Sequence, residues 1–132
     1  MTISTNPHLD RWHNIIARRD TQDLYAMLAE NVVFRSPYVW DAYQGRQTVC
    51  RILTTVSEVF QDFTYHRELV DHNNWALEFS ARVGDQQLKG IDLIRLDDDN
   101  LIAEFEVFVR PAHGLRALGW EMTKRLGSLP PA

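Results

Sequence analysis

From Phe63 to Arg110 the apolar residues tend to repeat at every second position, and turn-forming clusters cut the stretch into four segments. Trp75 to Val83 shows the repeat best, with apolar odd positions and mostly polar even ones. A period of two marks a strand with one face buried. The breaks are Asp71-His72-Asn73-Asn74, Gly84-Asp85 and Asp97-Asp98-Asp99-Asn100, all residue types that favour turns. The predicted strands are Phe63 to Val70, Trp75 to Val83, Leu88 to Leu96 and Leu101 to Arg110. Short turns between consecutive strands predict an antiparallel meander. Such a sheet has one apolar face, and something must cover it.

The cover is predicted from the residues before Phe63, where the period is that of a helix. Asn6-Pro7 reads as a helix cap with proline in the first helical position. Leu9, Trp12, His13 and Ile16 follow at i, i+3, i+4 and i+7. Asp20 is placed to cap a second helix, with Asp23 in its first turn and Leu24, Met27 and Leu28 as its apolar stripe. Val32-Val33-Phe34 reads as a short strand that Pro37 stops. Gly45 punctuates the start of a third helix bearing Val49, Ile52, Leu53, Val56, Val59 and Phe60 on one side. A fourth helix carries Leu115, Leu118, Met122 and Leu126 and ends at Pro130-Pro131. Helices gathered at one end and strands at the other give an α+β class, with helices packed in the concavity of a curved antiparallel sheet. The resulting cone has a mouth suited to a small molecule.

The chain of 132 residues reads as one domain, 1–132. A net charge of −4 argues against nucleic acid as a partner, because phosphate binding needs an excess of Lys and Arg. No apolar run reaches the ~18–20 residues of a membrane span. Met1 to Pro7 has no basic start and no long apolar segment, so no secretory signal is expected there. One cysteine, Cys50, excludes an internal disulfide and a multi-cysteine zinc site. A cytoplasmic location is expected. Cys50 adjoins an apolar helix stripe and reads as a small buried hydrophobe. The five histidines, His8, His13, His66, His72 and His113, show no metal-binding spacing, so no metal is expected.

The strand from Leu88 to Leu96 contains the residue that breaks the pattern. Its even positions are Leu88, Gly90, Asp92, Ile94 and Leu96, while Lys89 and Arg95 sit near the ends of the odd face. The even face is the better interior, which sets Asp92 among apolar neighbours. A lone carboxylate out of water costs several kcal/mol unless paired or protonated, and burial raises its pKa. Perturbed carboxyls cluster at functional sites. The alternatives are a buried Asp92 satisfied structurally by a Tyr, Trp or Arg, and a reversed register that leaves it in water.

Three local pieces carry a family resemblance: Ala29 to Pro37, Gly45-Arg46, and Ile91 to Ile102. With the order of elements, they resemble the nuclear transport factor 2-like superfamily of cystatin-like fold, and within it the SnoaL-like domain group. The ending Val109-Arg110-Pro111 with Gly114 to Leu118 and Met122 is similar to a bacterial subgroup without an assigned reaction. Ile91 to Ile102 resembles the strand-turn-strand of ketosteroid isomerases, where an aspartic acid at the position of Asp92 donates a hydrogen bond to a developing oxyanion. The resemblance places the general base of those enzymes at Ser36 and their oxyanion tyrosine at Trp12. A serine alone is no base near neutral pH, and an indole donates but does not exchange protons usefully. Steroid isomerisation by that mechanism is therefore not expected. The Asp-Arg-Asp arrangement of related epoxide hydrolases is broken by Gly90, two residues before Asp92. Polyketide cyclases of the SnoaL type use an acidic group near the cavity, so the resemblance leaves a cyclase open.

Phe34, Tyr38, Trp40 and Tyr43 form an aromatic cluster in sequence, read as core and loop packing or as the wall of a cavity for a flat apolar ligand. By the family comparison Phe105, Val107 and Val109 line the cone, which sends Glu104 and Glu106 to the outer face; a reversed parity would make Glu106 a second acid beside Asp92. The outer face would then show Ile91, Leu93 and Phe108 among charges of both signs, and a homodimer through that face is expected. The expected function is a small-molecule pocket, with Asp92 as acid or hydrogen-bond donor and Trp12, Phe34, Ser36, Tyr38, Phe105 and Val107 as ligand contacts. Its chemistry would be a cofactor-free isomerase, cyclase or dehydratase reaction on an apolar carbonyl compound. The competing expectation is a non-catalytic binding or protein-interaction module.

Overall fold

A computed structural model describes residues 6–127. The chain begins with α1 (Pro7–Arg18), α2 (Thr21–Met27), β1 (Leu28–Arg35) and the two-residue β2 (Tyr43–Gln44). It continues with α3 (Arg46–Val59), β3 (Gln61–Asp71) and β4 (Asn74–Val83). The last elements are β5 (Gln86–Leu96), β6 (Ile102–Arg110) and α4 (Ala112–Leu126). The caps form as their residue types dictate. The Asn6 side chain accepts from the backbone N–H groups of His8 and Leu9 at 3.1 and 3.0 Å. Asp20 accepts from the N–H of Asp23 at 3.1 Å.

The strands form one curved six-stranded sheet in the order β2-β1-β6-β5-β4-β3. The meander from β3 to β6 is antiparallel throughout, as the alternation predicts. The antiparallel expectation needs one correction, because β1 lies beside β6 and runs parallel to it, with Phe34 opposite Phe105. The whole of α3 and the meander separates these strands in the chain, and such a long connection permits a parallel return. A second correction concerns Leu28. It is the first residue of β1, with extended backbone angles, rather than the end of the α2 stripe. Leu28 and Ala29 are both buried, so an apolar run at this junction suits either element. The expected end of α4 at Pro130-Pro131 lies outside the described residues.

Alternation along β5 is complete: Leu88, Gly90, Asp92, Ile94 and Leu96 are buried and the residues between them exposed. The concave face carries Trp75, Leu77 and Phe79 from β4 and Phe105 from β6, packed under α1, α2 and α3. On the convex face Ile91, Leu93 and Phe108 are 41%, 43% and 50% exposed, with Ile91 directly opposite Phe108. Charges beside them pair with one another. Glu78 binds Arg67 at 3.1 Å and Lys89 at 3.0 Å, and hydrogen bonds from both hold its carboxyl well below the usual carboxylate range. Glu104 pairs with Arg95 at 3.3 Å, and Glu106 stands opposite Leu93, so both glutamates face away from the concavity. Trp40 does not join the aromatic packing; it is 96% exposed, whereas Phe34 is buried. None of the described helices is long and apolar enough to cross a membrane.

Gly90 is required by a close approach. A methyl group there would overlap the Phe79 ring and the Phe108 carbonyl oxygen. Phe79 is itself held by Phe60 and Phe63, with ring centroids 5.6 and 5.1 Å away. The ring has nowhere to retreat, so Gly90→Ala should destabilise the fold by about 1–3 kcal/mol, the usual cost of overpacking a core. Urea denaturation should show a lower midpoint with an unchanged slope.

Candidate functional site

The concave face and its helices enclose a cavity of about 980 Å³. Trp12, Phe34, Ser36, Tyr38, Asp92, Phe105 and Val107, the residues singled out in the sequence, all border it. Asp92 is 7% exposed, delivered to the wall by the even positions of β5. Its Oδ2 accepts a hydrogen bond from the hydroxyl of Tyr65 at 2.7 Å. The Tyr65 oxygen in turn accepts from the indole N–H of Trp12 at 3.0 Å. An indole only donates, so the direction of this chain is set at its α1 end. The tyrosine proton points to Asp92, and the second carboxyl oxygen is left to carry any proton of its own.

Burial pushes the Asp92 pKa up to about 7, against the opposing pull of the Tyr65 hydrogen bond. Burial, and then the charge of Asp92, hold the Tyr65 phenol well above its ordinary value. Near neutrality the carboxyl is thus divided between its two forms while the phenol stays protonated. Such a group can donate a proton to a bound oxygen or accept one from a bound carbon.

Tyr65 is the site residue that sequence reasoning missed. It lies on β3, opposite Phe79, and the next registered pair is Glu68 with Leu77. Three steps along β3 match two along β4, the signature of a bulge. Without it, Tyr65 and Glu68 would point to opposite faces; with it, both face the helices. Glu68 meets His13 of α1 at 2.6 Å, and the His13 ring lies 5.9 Å from the Tyr65 ring. The only signal was the spacing of Phe63 and Tyr65 on one strand face.

Ser36 borders the cavity at the end of β1. Its Oγ accepts the backbone N–H of Tyr38 at 3.0 Å and so stabilises the turn after β1. Other carboxyl groups bordering the cavity are engaged elsewhere: Asp20 caps α2, Asp62 binds Arg82 at 3.1 Å, and Glu58 faces Arg125 at 3.9 Å. Among the described residues, no three His, Cys, Asp or Glu side chains gather as a metal site requires.

The sequence profile of the SnoaL-like domain matches residues 9–105. The crystal structure of a steroid delta-isomerase from Pseudomonas aeruginosa superposes with a TM-score of 0.87 at 54% identity, covering 90% of this chain and 88% of that one. An uncharacterised bacterial protein of cystatin-like fold from Silicibacter pomeroyi gives 0.88 at 36% identity, covering 92% and 86%. A nuclear transport factor 2-like protein from Mesorhizobium loti gives 0.70 at 17% identity, covering 79% and 88%, a likeness of fold alone. None of the curated proteins compared with the chain matches it.

A carboxyl whose pKa is raised by folding stabilises the protein when protonated. That contribution is intact below about pH 4, the value of the unfolded chain, and is lost as pH rises through about 7. The loss amounts to on the order of 4 kcal/mol. Asp92→Asn should remove it. The stability of the native protein relative to this variant should fall between pH 4 and 7 and stay level above, as read by urea titrations at a series of pH values. Tyr65→Phe, which deletes a bond to the ionised form, should move the Asp92 titration above 7 in carbon-detected NMR.

Proposed function

The chain belongs to the SnoaL-like domain family, and from that premise we propose that it binds an apolar, carbonyl-bearing small molecule and moves a proton on it through Asp92. The observation that carries this reading is a buried carboxyl in a cavity wall, with a pKa of about 7 and one oxygen anchored by Tyr65. Protonated Asp92 donates to the ligand carbonyl and draws electron density from the adjacent carbon. Ionised Asp92 takes a proton from that carbon, the electron pair of the broken C–H bond moving into the enolate, and returns the proton elsewhere on the same ligand. Proton removal and return by Asp92 need no redox cofactor, which suits an isomerase, cyclase or dehydratase working in the cytoplasm.

The likeness to a Pseudomonas aeruginosa steroid delta-isomerase at 54% identity favours an isomerase. The turn-holding role of Ser36 argues against the two-group mechanism of ketosteroid isomerases, in which a base and an oxyanion donor act together. Asp92 serves one of those roles at a time. The same shortage favours a second reading, a cavity that binds without catalysis. We also propose a homodimer through the convex face, because Ile91, Leu93 and Phe108 form an exposed patch whose neighbouring charges suit a two-fold contact.

Three measurements test these readings. With 2-tetralone in heavy water, the native protein should speed deuterium uptake beside the carbonyl, and Asp92→Asn should lose about 100-fold or more of that rate. Binding of 2-tetralone without any exchange would favour the non-catalytic module. Conversion of a 3-oxo-Δ5 steroid should be negligible, and a rate close to that of ketosteroid isomerases would overturn the role given to Ser36. Light scattering should report the mass of two chains, burying about 1,200–2,000 Å². Leu93→Lys should halve that mass, and a native mass near one chain at every concentration would exclude the dimer.

A further inference from the structure

We propose that Tyr38 is a specificity-determining residue of the cavity. Its ring, seated on Gly119 of α4, closes the cavity beyond the end of β1 and limits how long an apolar ligand it admits. The inference rests on the cavity being a ligand site, as proposed above.

The placement follows from the local sequence. Phe34 is the last buried residue of β1, Arg35 ends the strand, and Ser36 and Pro37 follow. Proline restricts the backbone, and the Ser36 Oγ holds the N–H of Tyr38 at 3.0 Å. This short, stiff segment carries the Tyr38 ring onto α4. There it meets Gly119, which is buried and borders the cavity with Leu118, Met122 and Thr123. A methyl group on Gly119 would overlap three atoms of the Tyr38 ring, so the bare helix backbone is the seat. Glycine inside a helix is unfavourable relative to alanine, and here it sits where the ring needs the space.

Tyr38 is also 54% exposed. One part of the ring borders the cavity and another meets water, which places it at the rim and not in the core. A rim ring held by one turn and one seat is a door whose removal leaves the packed core untouched. Ser36 then acts as a positioning residue that aims Tyr38. The ligands favoured are compact ring ketones that fit between Asp92 and the door. Those with a long acyl chain are disfavoured.

The test is fluorescence titration with 6-acyl-2-(dimethylamino)naphthalenes bearing an acetyl, propionyl or dodecanoyl chain. The native protein should prefer acetyl over dodecanoyl by about ten-fold or more, within the usual reach of a pocket that discriminates by length. Tyr38→Ala should abolish or invert the preference, because the longer chain then gains buried surface. Tyr38→Phe should keep the native ratio, since the ring and not the hydroxyl does the closing. Gly119→Ala should displace the ring and behave as Tyr38→Ala does, and Ser36→Ala should weaken the preference partly. A Tyr38→Ala protein that fails to take up the dodecanoyl probe, or keeps the native ratio, overturns the proposal. Asp92→Asn separates the two ideas. If it leaves the rate of deuterium uptake by 2-tetralone unchanged while Tyr38→Ala shifts the affinity ratio, the door stands and the role of Asp92 falls.

Discussion

The hydrogen-bond chain from Trp12 through Tyr65 to Asp92 is the constraint around which the concave face is organised. It joins α1, β3 and β5, elements far apart in sequence, through two contacts between side chains. An uncompensated carboxyl at this depth would cost several kcal/mol. Tyr65 offsets part of that cost, and Trp12 fixes the orientation of Tyr65. Removing either aromatic leaves a buried polar atom without its partner, which costs more than the bond itself contributes. The position of α1 over the sheet is thus tied to the state of one acid.

The arrangement divides labour between the two sheet faces. On the concave side desolvation outweighs the Tyr65 hydrogen bond and raises the proton affinity of Asp92. On the convex side Glu78 is also buried, yet Arg67 and Lys89 hold it ionised. Two acids of the same sheet therefore end at opposite extremes, one governed by desolvation and the other by its hydrogen bonds to cations. The apolar groups left open on the convex side suit association, whereas those on the concave side enclose space.

Where the chain keeps a strict period, the sequence is legible. Alternation along β4 and β5 assigns their inner faces correctly, and it is this parity that brings Asp92 to the cavity wall. Asn6 and Asp20 announce their helices because capping is a local effect. The bulge in β3 hides Tyr65 and Glu68, because one extra residue shifts the parity and a period-two reading cannot follow it. The parallel partner of β1 is equally hidden, since alternation tells which face a residue takes but not which strand lies alongside. Trp40 misled for a simpler reason: composition marks it as a core residue, and its loop carries it outward.

The parallel pairing of β1 with β6 also has a consequence for how the chain is made. Synthesis proceeds from the N-terminus, so β1 leaves the ribosome with only the two residues of β2 for a sheet partner. Its proper neighbour emerges last among the strands. Until then the apolar side of β1 must shelter against the early helices, and its other edge stays open to pairing with the wrong chain. The meander from β3 to β6 assembles from neighbouring segments, but the seam that joins it to β1 closes only after Ile102 to Arg110 have been made. Nascent chains stalled short of β6 are therefore the species of this protein most in need of a chaperone.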